Sequence, residues 1–375
     1  MNNAGEGAAA LTRDEAFARI RLLRSPNIGP VSYAQLLRRF GTAGAALDAL
    51  PDLAGRGGGR YRAAEPGRIE DEIAAVRRLG ARYLFHDSPD YPALLGQSDN
   101  APPILTVQGD GALLARPAVA IVGARNASAG AVRLARQFAL DLAGMGYAVV
   151  SGLARGIDAA VHRGALAGGD GGTIGVIAGG IDVTYPPENA DLQGQVAREG
   201  VLIAEMPPGT EPMARHFPHR NRIIAGIAAG TVVMEAAPKS GSLITARLAG
   251  EAGREVMAVP GSPLDSRARG CNQLIRDGAI LVQDAADVDE LLRGFTGTPR
   301  STFQEIAAAP FDTASGPDVD PADVAALLGA APVPVDELIR LSGASAGQVQ
   351  MALLELELAG RLVRHAGGRV SLAVD

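Results

Sequence analysis

The sequence has one cysteine, Cys271, and one lysine, Lys239, among its 375 residues. A single cysteine excludes a disulfide framework and is typical of a protein that works in a reducing compartment. Because lysine is almost absent, nearly all of the positive charge is arginine, which binds phosphate and stacks on bases better than lysine does. The net charge of −6 excludes a strongly basic surface overall, but it is compatible with a local basic groove.

Several patterns that point to a particular chemistry are also missing. No apolar run approaches the roughly 18 residues of a membrane span, and the N-terminus lacks a basic-then-apolar signal pattern, so we expect a cytoplasmic protein without a membrane partner. His216 and His219 have no second group of ligands at suitable spacing, which argues against a metal site. The Walker motif G-x-x-x-x-G-K-[ST] is absent, and no G-x-G-x-x-G follows the strand at residues 119–122, so the sequence predicts no nucleotide cofactor.

Short apolar runs alternate with helical patterns through the middle of the chain. They lie at residues 119–122, 148–150, 174–177, 201–204, 231–234, 255–259 and 280–282. Such runs without polar alternation are typical of parallel strands buried on both faces. The repeated strand–helix alternation predicts an α/β fold with a Rossmann-like, doubly wound parallel sheet. Ligands bind such sheets beyond the carboxyl ends of the strands, so the turns after these runs form the candidate site.

Composition divides the chain into four expected parts. Residues 1–80 predict a small helical domain, in which Pro-Asn-Ile-Gly-Pro at residues 26–30 would connect two helices as in a helix–hairpin–helix. That turn is either a grip on a nucleic-acid backbone or part of an inert scaffold. We expect the Rossmann-like domain at residues 81–294, a proline-rich linker at 295–332, and a winged helix at 333–375.

Two strand-to-helix turns carry an arginine beside a glycine. In AVAIVGAR, residues 118–125, Gly123 permits a sharp turn and Ser128 is placed to cap the next helix. Arg125 would add donors to a helix N-terminus that attracts anions, although it could also simply pair with a carboxylate. In SGLARGID, residues 151–158, Arg155 precedes Gly156 at a turn of the same kind, and Asp158 is expected to be a cap or turn group.

Two further segments belong to the same predicted rim. FPHRNR, residues 217–222, places Phe217 before Arg220, Asn221 and Arg222 at the start of a helix. We expect Arg220 to join Arg125 and Arg155 in one phosphate pocket, and Phe217 either to stack on a base or to pack its loop onto the sheet. A glycine–serine turn opens the helix after the fifth run of the parallel set: Ser240, Gly241 and Ser242.

Taken in order, these segments resemble the DprA/Smf family, the DNA-processing protein A of bacterial natural transformation. The resemblance covers residues 91–283, and both flanking domains resemble parts that occur variably in the family. The motifs that carry it are Tyr91-Pro92, Pro102-Pro103, AIVGAR, SGLARGID, Tyr185-Pro186, FPHRNRIIAG, SGSLITA, AVPG and the segment from Gly270-Cys271 to Gly278-Ala279.

The resemblance implies a single-stranded-DNA-binding protein that is not an enzyme. Relatives form homodimers through the Rossmann-like domain and help to load a RecA-type recombinase onto incoming strands. The residues that it assigns to the DNA site are Gly123, Ala124, Arg125, Arg155, Gly156, Phe217, Arg220, Asn221, Arg222, Ser240, Gly241 and Ser242. Ala124 stands where the family usually has serine, which removes a hydroxyl donor to phosphate; we expect its backbone amide to remain available. With aromatics at only 4% of the chain, binding should depend little on base sequence and favour single strands.

The alternative function is enzymatic. Lysine-decarboxylase-like nucleotide phosphoribohydrolases use a glycine-rich turn and an acidic residue on the same rim of a related sheet, and Glu235 with the Ser-Gly-Ser turn occupies a comparable place. Those enzymes have Pro-Gly-Gly where this chain has Ser-Gly-Ser, which disfavours the enzymatic interpretation.

The predicted recognition helix of the winged helix, residues 346–359, has no lysine or arginine, and it carries Glu355 and Glu357 near its end. A helix that enters the major groove needs basic and amide side chains. The sequence therefore favours a role in protein contact or self-association over the reading of DNA.

Overall fold

The computed structural model describes residues 11–98, 100–169, 171–293, 320–365 and 367–373. The chain forms two compact units, of which one joins Met1–Asp71 with Ser301–Asp375 and the other is Glu72–Arg300. The two ends of the chain, expected as separate domains, therefore share one unit. Among the described helices, none has both the length and the apolar character needed to cross a bilayer.

The described residues form fifteen α-helices and twelve strands. The helices are α1 (Arg13–Leu23), α2 (Pro30–Phe40), α3 (Ala43–Arg56), α4 (Pro66–Arg78), α5 (Ala93–Gly96), α6 (Ala129–Gly144), α7 (Ile157–Ala167), α8 (Ala190–Glu199), α9 (His216–Ile227), α10 (Gly241–Glu251), α11 (Arg269–Arg276), α12 (Ala285–Leu292), α13 (Pro321–Ala326), α14 (Val335–Ser342) and α15 (Ala346–Leu358). The strands are β1 (Arg82–Phe85), β2 (Ile104–Gly109), β3 (Ala118–Val122), β4 (Ala148–Ser151), β5 (Thr173–Gly180), β6 (Val201–Met206), β7 (Gly230–Val233), β8 (Glu255–Ala258), β9 (Ile280–Leu281), β10 (Val333–Pro334), β11 (Leu362–His365) and β12 (Arg369–Leu372).

The unit Glu72–Arg300 is built on one sheet, whose described strands run in the order β1-β2-β6-β5-β4-β3-β7-β8-β9. Strands β3 to β9 are parallel, whereas β1 and β2 add an antiparallel edge beside β6. The order reverses at β3, from which the chain proceeds first through β4 and β5 to β6 and later to β7, β8 and β9. The predicted doubly wound, Rossmann-like sheet is confirmed.

The alternation of side chains along β3 produces two cores. Val119 and Ile121 pack with α6, α7 and α12 on one face of the sheet. Ala118, Ala120 and Val122 pack with α9, α10 and α11 on the other face. Successive side chains of a strand point to opposite faces, so helices on both sides require the unbroken apolar run that the sequence shows.

The unit formed by the chain ends contains the predicted helical domain and the predicted winged helix. In the winged helix, α13, α14 and α15 pack with a sheet of order β10-β12-β11. Helix α13 falls inside the expected linker, residues 295–332, and its Val324 is fully buried in the winged-helix core. The preceding linker residues, 295–319, lie outside the described part of the chain.

Candidate nucleic-acid interface

The turn after β3 is fixed by contacts from two other turns. A Cβ built on Gly123 would lie 2.6 Å from Cγ1 of Ile157, so only glycine fits at this position. The Ala124 amide donates to the carbonyl of Glu235 at 2.7 Å. This corrects our expectation that the amide would be available to phosphate, because it is already bonded. Ser128 caps α6 as predicted, with its hydroxyl accepting from the Ala131 amide at 3.1 Å.

Glu235, two residues beyond the end of β7, anchors this turn. Its carboxylate accepts from the Ser128 amide at 2.8 Å, and the side chain is buried. Arg267 approaches the other carboxylate oxygen at 3.8 Å. The carboxylate at the N-terminus of α6 therefore has a structural role, since it satisfies a backbone donor that a helix leaves free.

The turn after β4 has a strained backbone that buried side chains support. Leu153 has φ +55°, a conformation that residues with a branched side chain rarely adopt. Its amide donates to Nε2 of His162 at 3.3 Å, and its carbonyl accepts from Asn189 at 2.8 Å. As expected for a turn group, Asp158 accepts from the Ala154 amide, at 3.4 Å. Hydrogen bonds from the buried side chains of His162 and Asn189 therefore fix the shape of this loop.

The tautomer of His162 follows from its partners. The Thr173 hydroxyl donates to the Val149 carbonyl at 2.9 Å, so it accepts from Nδ1 of His162, which lies 2.8 Å away. Nε2 is then free to accept from Leu153. Burial lowers the pKa of His162 from 6.5 to about 3, which keeps the ring neutral. Sequence reasoning did not find His162, because its contacts join elements that no local pattern connects.

Arg220 lies beneath the same loop. It is only 6% exposed, and a Cβ built on Gly152 would lie 1.4 Å from its Nη1 atom. Burial lowers the pKa of Arg220 and raises that of Asp158, while each charge opposes the shift of the other. Among the described residues, Nε of Arg220 has no hydrogen-bond partner. A buried guanidinium carries a positive charge that favours an anion in the space beside it.

Arg220 borders a cavity of about 260 Å³ at the carboxyl ends of β3, β4 and β5. Arg125 and Arg155 also line it, so the three arginines predicted to converge do lie around one cavity. The complete lining is Arg125, Asn126, Gly152, Ala154, Arg155, Ile177, Ala178, Gly179, Val183, Tyr185, Pro186, Pro212, Phe217 and Arg220.

One wall of the cavity is aromatic. The Arg125 guanidinium carbon lies 5.1 Å from the centroid of the Phe217 ring, within the range of a cation–π contact. The ring of Tyr185, which is 47% exposed, lies 5.7 Å from that of Phe217 at an angle of 60°. Tyr185, from the Tyr185-Pro186 motif, thus joins the predicted residues at this site.

Arg155 is exposed and forms an ion pair with Glu188. Exposed pairs of this kind are weak, so Arg155 can exchange the carboxylate for a phosphate. Gly156, with φ +72°, lets the loop cross the turn after β3; a Cβ there would lie 2.4 Å from the Ala124 carbonyl oxygen.

The remaining predicted residues lie outside this cavity lining. Arg222 pairs with Glu205 at 2.5 Å and donates to the Asn100 carbonyl. Its positive charge is therefore already balanced by a carboxylate. Asn221 reaches the Gly241 carbonyl at 3.5 Å, at the start of α10. The hydroxyls of Ser240 and Ser242 are 2.8 Å apart and bond to each other.

Comparison with known proteins agrees with this architecture over most of the chain. The sequence model described as DNA recombination-mediator protein A matches residues 82–293. The chain belongs to this family. A DprA-like N-terminal HHH domain matches residues 13–75, and a DprA winged helix domain matches residues 307–368. The resemblance predicted from the motifs is thus confirmed.

Individual relatives cover most of the chain. The protein Smf of Escherichia coli (strain K12) is 38% identical over 313 residues, which are 81% of this chain and 81% of that protein. The structure of DNA processing protein A from Streptococcus pneumoniae matches with a TM-score of 0.63 and 34% identity, over 76% of this chain and 98% of that one. A structure of the Helicobacter pylori protein, described for its single-stranded DNA binding mode, matches with a TM-score of 0.51 and 27% identity, over 57% and 97%.

Proposed function

We propose that this member of a DNA-processing family binds single-stranded DNA in the cavity bordered by Arg125, Arg155 and Arg220. The observation that carries the proposal is the buried guanidinium of Arg220, which lines one cavity together with Arg125 and Arg155. Membership of a recombination-mediator family and the single-stranded DNA binding mode of the Helicobacter pylori relative support it.

The chemistry of the cavity suits one nucleotide of a strand. Arginines bind backbone phosphates, while Phe217 and Tyr185 offer ring faces on which a base can stack. A cavity of about 260 Å³ admits a splayed nucleotide, but it cannot admit paired and stacked bases. The lining has few side chains suited to the reading of base edges, so binding should depend little on sequence.

Competition between labelled oligo-dT and unlabelled duplex of equal length tests the strand preference, with fluorescence anisotropy as the readout. We expect the duplex to compete far less well than unlabelled oligo-dT. Stronger competition by the duplex would contradict the proposal.

The enzymatic alternative has less support. It needs the Glu235 carboxylate at a reacting nucleotide, yet that carboxylate accepts from the Ser128 amide and is buried. Incubation of the protein with nucleoside monophosphates, followed by chromatography for free base, tests this alternative. We expect no release of base above a control without protein.

We further propose that the chain forms a homodimer through its Rossmann-like unit and acts in the cytoplasm on strands that a RecA-type recombinase then occupies. Strand β9 lies at the edge of the described sheet, and its Leu281 is 44% exposed, as expected for a strand that pairs with a second copy. Sedimentation of Leu281→Glu should give the monomer mass, while Val363→Glu, on the winged helix, should sediment as the wild type does.

Recombinase assembly on oligo-dT, measured with and without this protein, tests the mediator role.

A further inference from the structure

Helix α15 occupies the place of the recognition helix in the winged helix, but it is buried on two sides. Leu353 and Leu356 belong to the winged-helix core. Leu354 and Leu358 belong to the core of α1, α2 and α3. Every residue of α15 is buried or half-buried. A helix that reads DNA must present an exposed face to the major groove, and α15 has none.

Polar contacts surround this apolar junction. The Gln35 amide donates to the Gln350 side chain at 2.9 Å, and Arg361 donates to the Gly57 carbonyl at 3.2 Å. Glu355 is almost completely buried, and its carboxylate lies 3.5 Å from Arg56. A core of leucines with a rim of paired polar groups is the pattern of a stable interface rather than of a transient contact.

The helix–hairpin turn at residues 26–30, the other element that could bind a DNA backbone, contacts α15 as well. Asn27, with φ +59° in the turn at residues 26–30, donates to the Leu358 carbonyl at 3.4 Å. Ile28 in the same turn is buried in the core that Leu354 and Leu358 complete. The turn therefore packs against a protein helix, and its Ile28 and Gly29 amides already donate to the Ser25 carbonyl and the Ser32 hydroxyl, so these two donors are not free for a DNA backbone.

The backbones approach closely at the end of α3. A Cβ built on Gly57 would lie 2.2 Å from the Glu355 carbonyl oxygen, and one built on Gly59 would lie 3.0 Å from Cβ of Ala359. Gly55, in the last turn of α3, has no such neighbour within 4 Å. The two glycines thus permit a contact that any side chain at residue 57 would disrupt.

We infer that α15 is an intramolecular clasp, whose partner is the N-terminal helical domain of the same chain, and that this winged helix does not read DNA. The inference explains why α15 carries Glu355 and Glu357 and no basic residue. It goes beyond the proposed single-stranded-DNA site, which lies entirely in the other unit.

A disulfide that locks the clasp tests the inference in the full chain. For Gly59→Cys with Ala359→Cys, the two Cβ atoms start 3.0 Å apart. They must move apart by less than about 1 Å to reach disulfide geometry. The native Cys271 should not compete, since it is buried and burial raises its pKa to about 11. Gln35→Cys with Gln350→Cys, joined by a short bifunctional maleimide because the two side chains meet only at their amide ends, provides a second cross-link. Gel electrophoresis should show an intramolecular link; failure of both pairs to cross-link within one chain would overturn the inference.

The DNA affinity of the locked protein gives the decisive measurement. We expect oxidation to leave the affinities for oligo-dT and for duplex unchanged, because α15 need not open. A loss of about tenfold or more in duplex affinity on oxidation would overturn the inference, since that is the effect of withdrawing base contacts by a recognition helix. The affinity of the reduced protein for oligo-dT tests the proposed single-strand site separately. A failure of that site can therefore be distinguished from a failure of the inference about α15.

A matched pair of variants tests the contact itself. Gly57→Leu should open the clasp and speed hydrogen exchange of the α15 amides, whereas Gly55→Leu should leave that exchange as in the wild type. Equal protection of α15 in the two variants would overturn the inference.

Discussion

The guanidinium of Arg220 fills the space beside Gly152 that any side chain would need, since a Cβ there would lie 1.4 Å from Nη1. The glycine of the turn after β4 therefore sets the position of an arginine on α9, 68 residues further along the chain. This contact makes Gly152 part of the proposed DNA site, because it sets the position of Arg220 at the cavity.

We expect Gly152→Ala to displace Arg220 and to weaken oligo-dT binding by about 1.5–3 kcal/mol, the value of a hydrogen bond to a charged group. Gly130→Ala is the control, because a Cβ there would meet only the Ser128 hydroxyl oxygen at 3.9 Å. Anisotropy titrations of both variants measure the effect. Wild-type affinity in Gly152→Ala would show that Arg220 does not bind the strand.

The dependence of oligo-dT affinity on salt should show whether each arginine of the cavity contacts a phosphate. Alanine at Arg125, Arg155 or Arg220 removes one phosphate contact, so the slope of log affinity against log salt should become shallower by about 0.7. Arg247→Ala is the control, since Arg247 is exposed on α10 and pairs with Glu251. Slopes equal to the wild type in all three cavity variants would rule out a shared phosphate site.

Removal of the charge at Glu188 should strengthen binding. Glu188 pairs with Arg155 in the free protein, so a strand must displace it, and exposed ion pairs of this kind are weak. We expect Glu188→Gln to bind oligo-dT slightly more tightly, most clearly at low salt. Glu251→Gln, which releases Arg247 instead, should have no effect. A weaker Glu188→Gln complex would mean that the ion pair itself shapes the site.

Acid should destabilise the unit Glu72–Arg300 through His162. Its pKa is lowered from 6.5 to about 3, so between these values the unfolded chain binds a proton that the folded chain does not. Stability contributed by the neutral ring is complete above pH 6.5 and is lost as the pH falls toward 3, by at most about 1.4 kcal/mol per pH unit.

The corresponding variant is His162→Asn. It should be less stable than the wild type at pH 7, because the Leu153 amide loses its acceptor, but its stability should fall less steeply between pH 6.5 and 4.5. Urea denaturation at several pH values measures both quantities. His219→Asn, at an exposed histidine, should retain the wild-type slope, and parallel curves for His162→Asn and wild type would contradict the assignment.

The sheet could be predicted from the sequence because its cause is local. A run such as residues 119–122 has no polar position to expose, and a strand of this kind must be covered on both faces. The cap at Ser128 and the turn at Gly123 follow from the same kind of local rule. The convergence of Arg125, Arg155 and Arg220 could be predicted because the carboxyl ends of parallel strands share one edge.

What the sequence could not predict depends on partners far along the chain. The Ala124 amide and the Ser128 amide are both taken by Glu235, which is 107 residues from Ser128. Arg222 resembles Arg220 in the sequence, but it lies two residues further along α9, on another face of the helix, and pairs with Glu205 instead. No local pattern distinguishes these outcomes, since each is decided by which charged group lies opposite in the folded chain.

The junction of α15 with α1, α2 and α3 has a consequence for the order of events during synthesis. Leu354 and Leu358 complete the core of α1, α2 and α3, yet they leave the ribosome only after the whole of the unit Glu72–Arg300. That contiguous unit can therefore fold first, since domains generally fold as units. Helices α1, α2 and α3 must wait, with an incomplete core, until α15 has been translated.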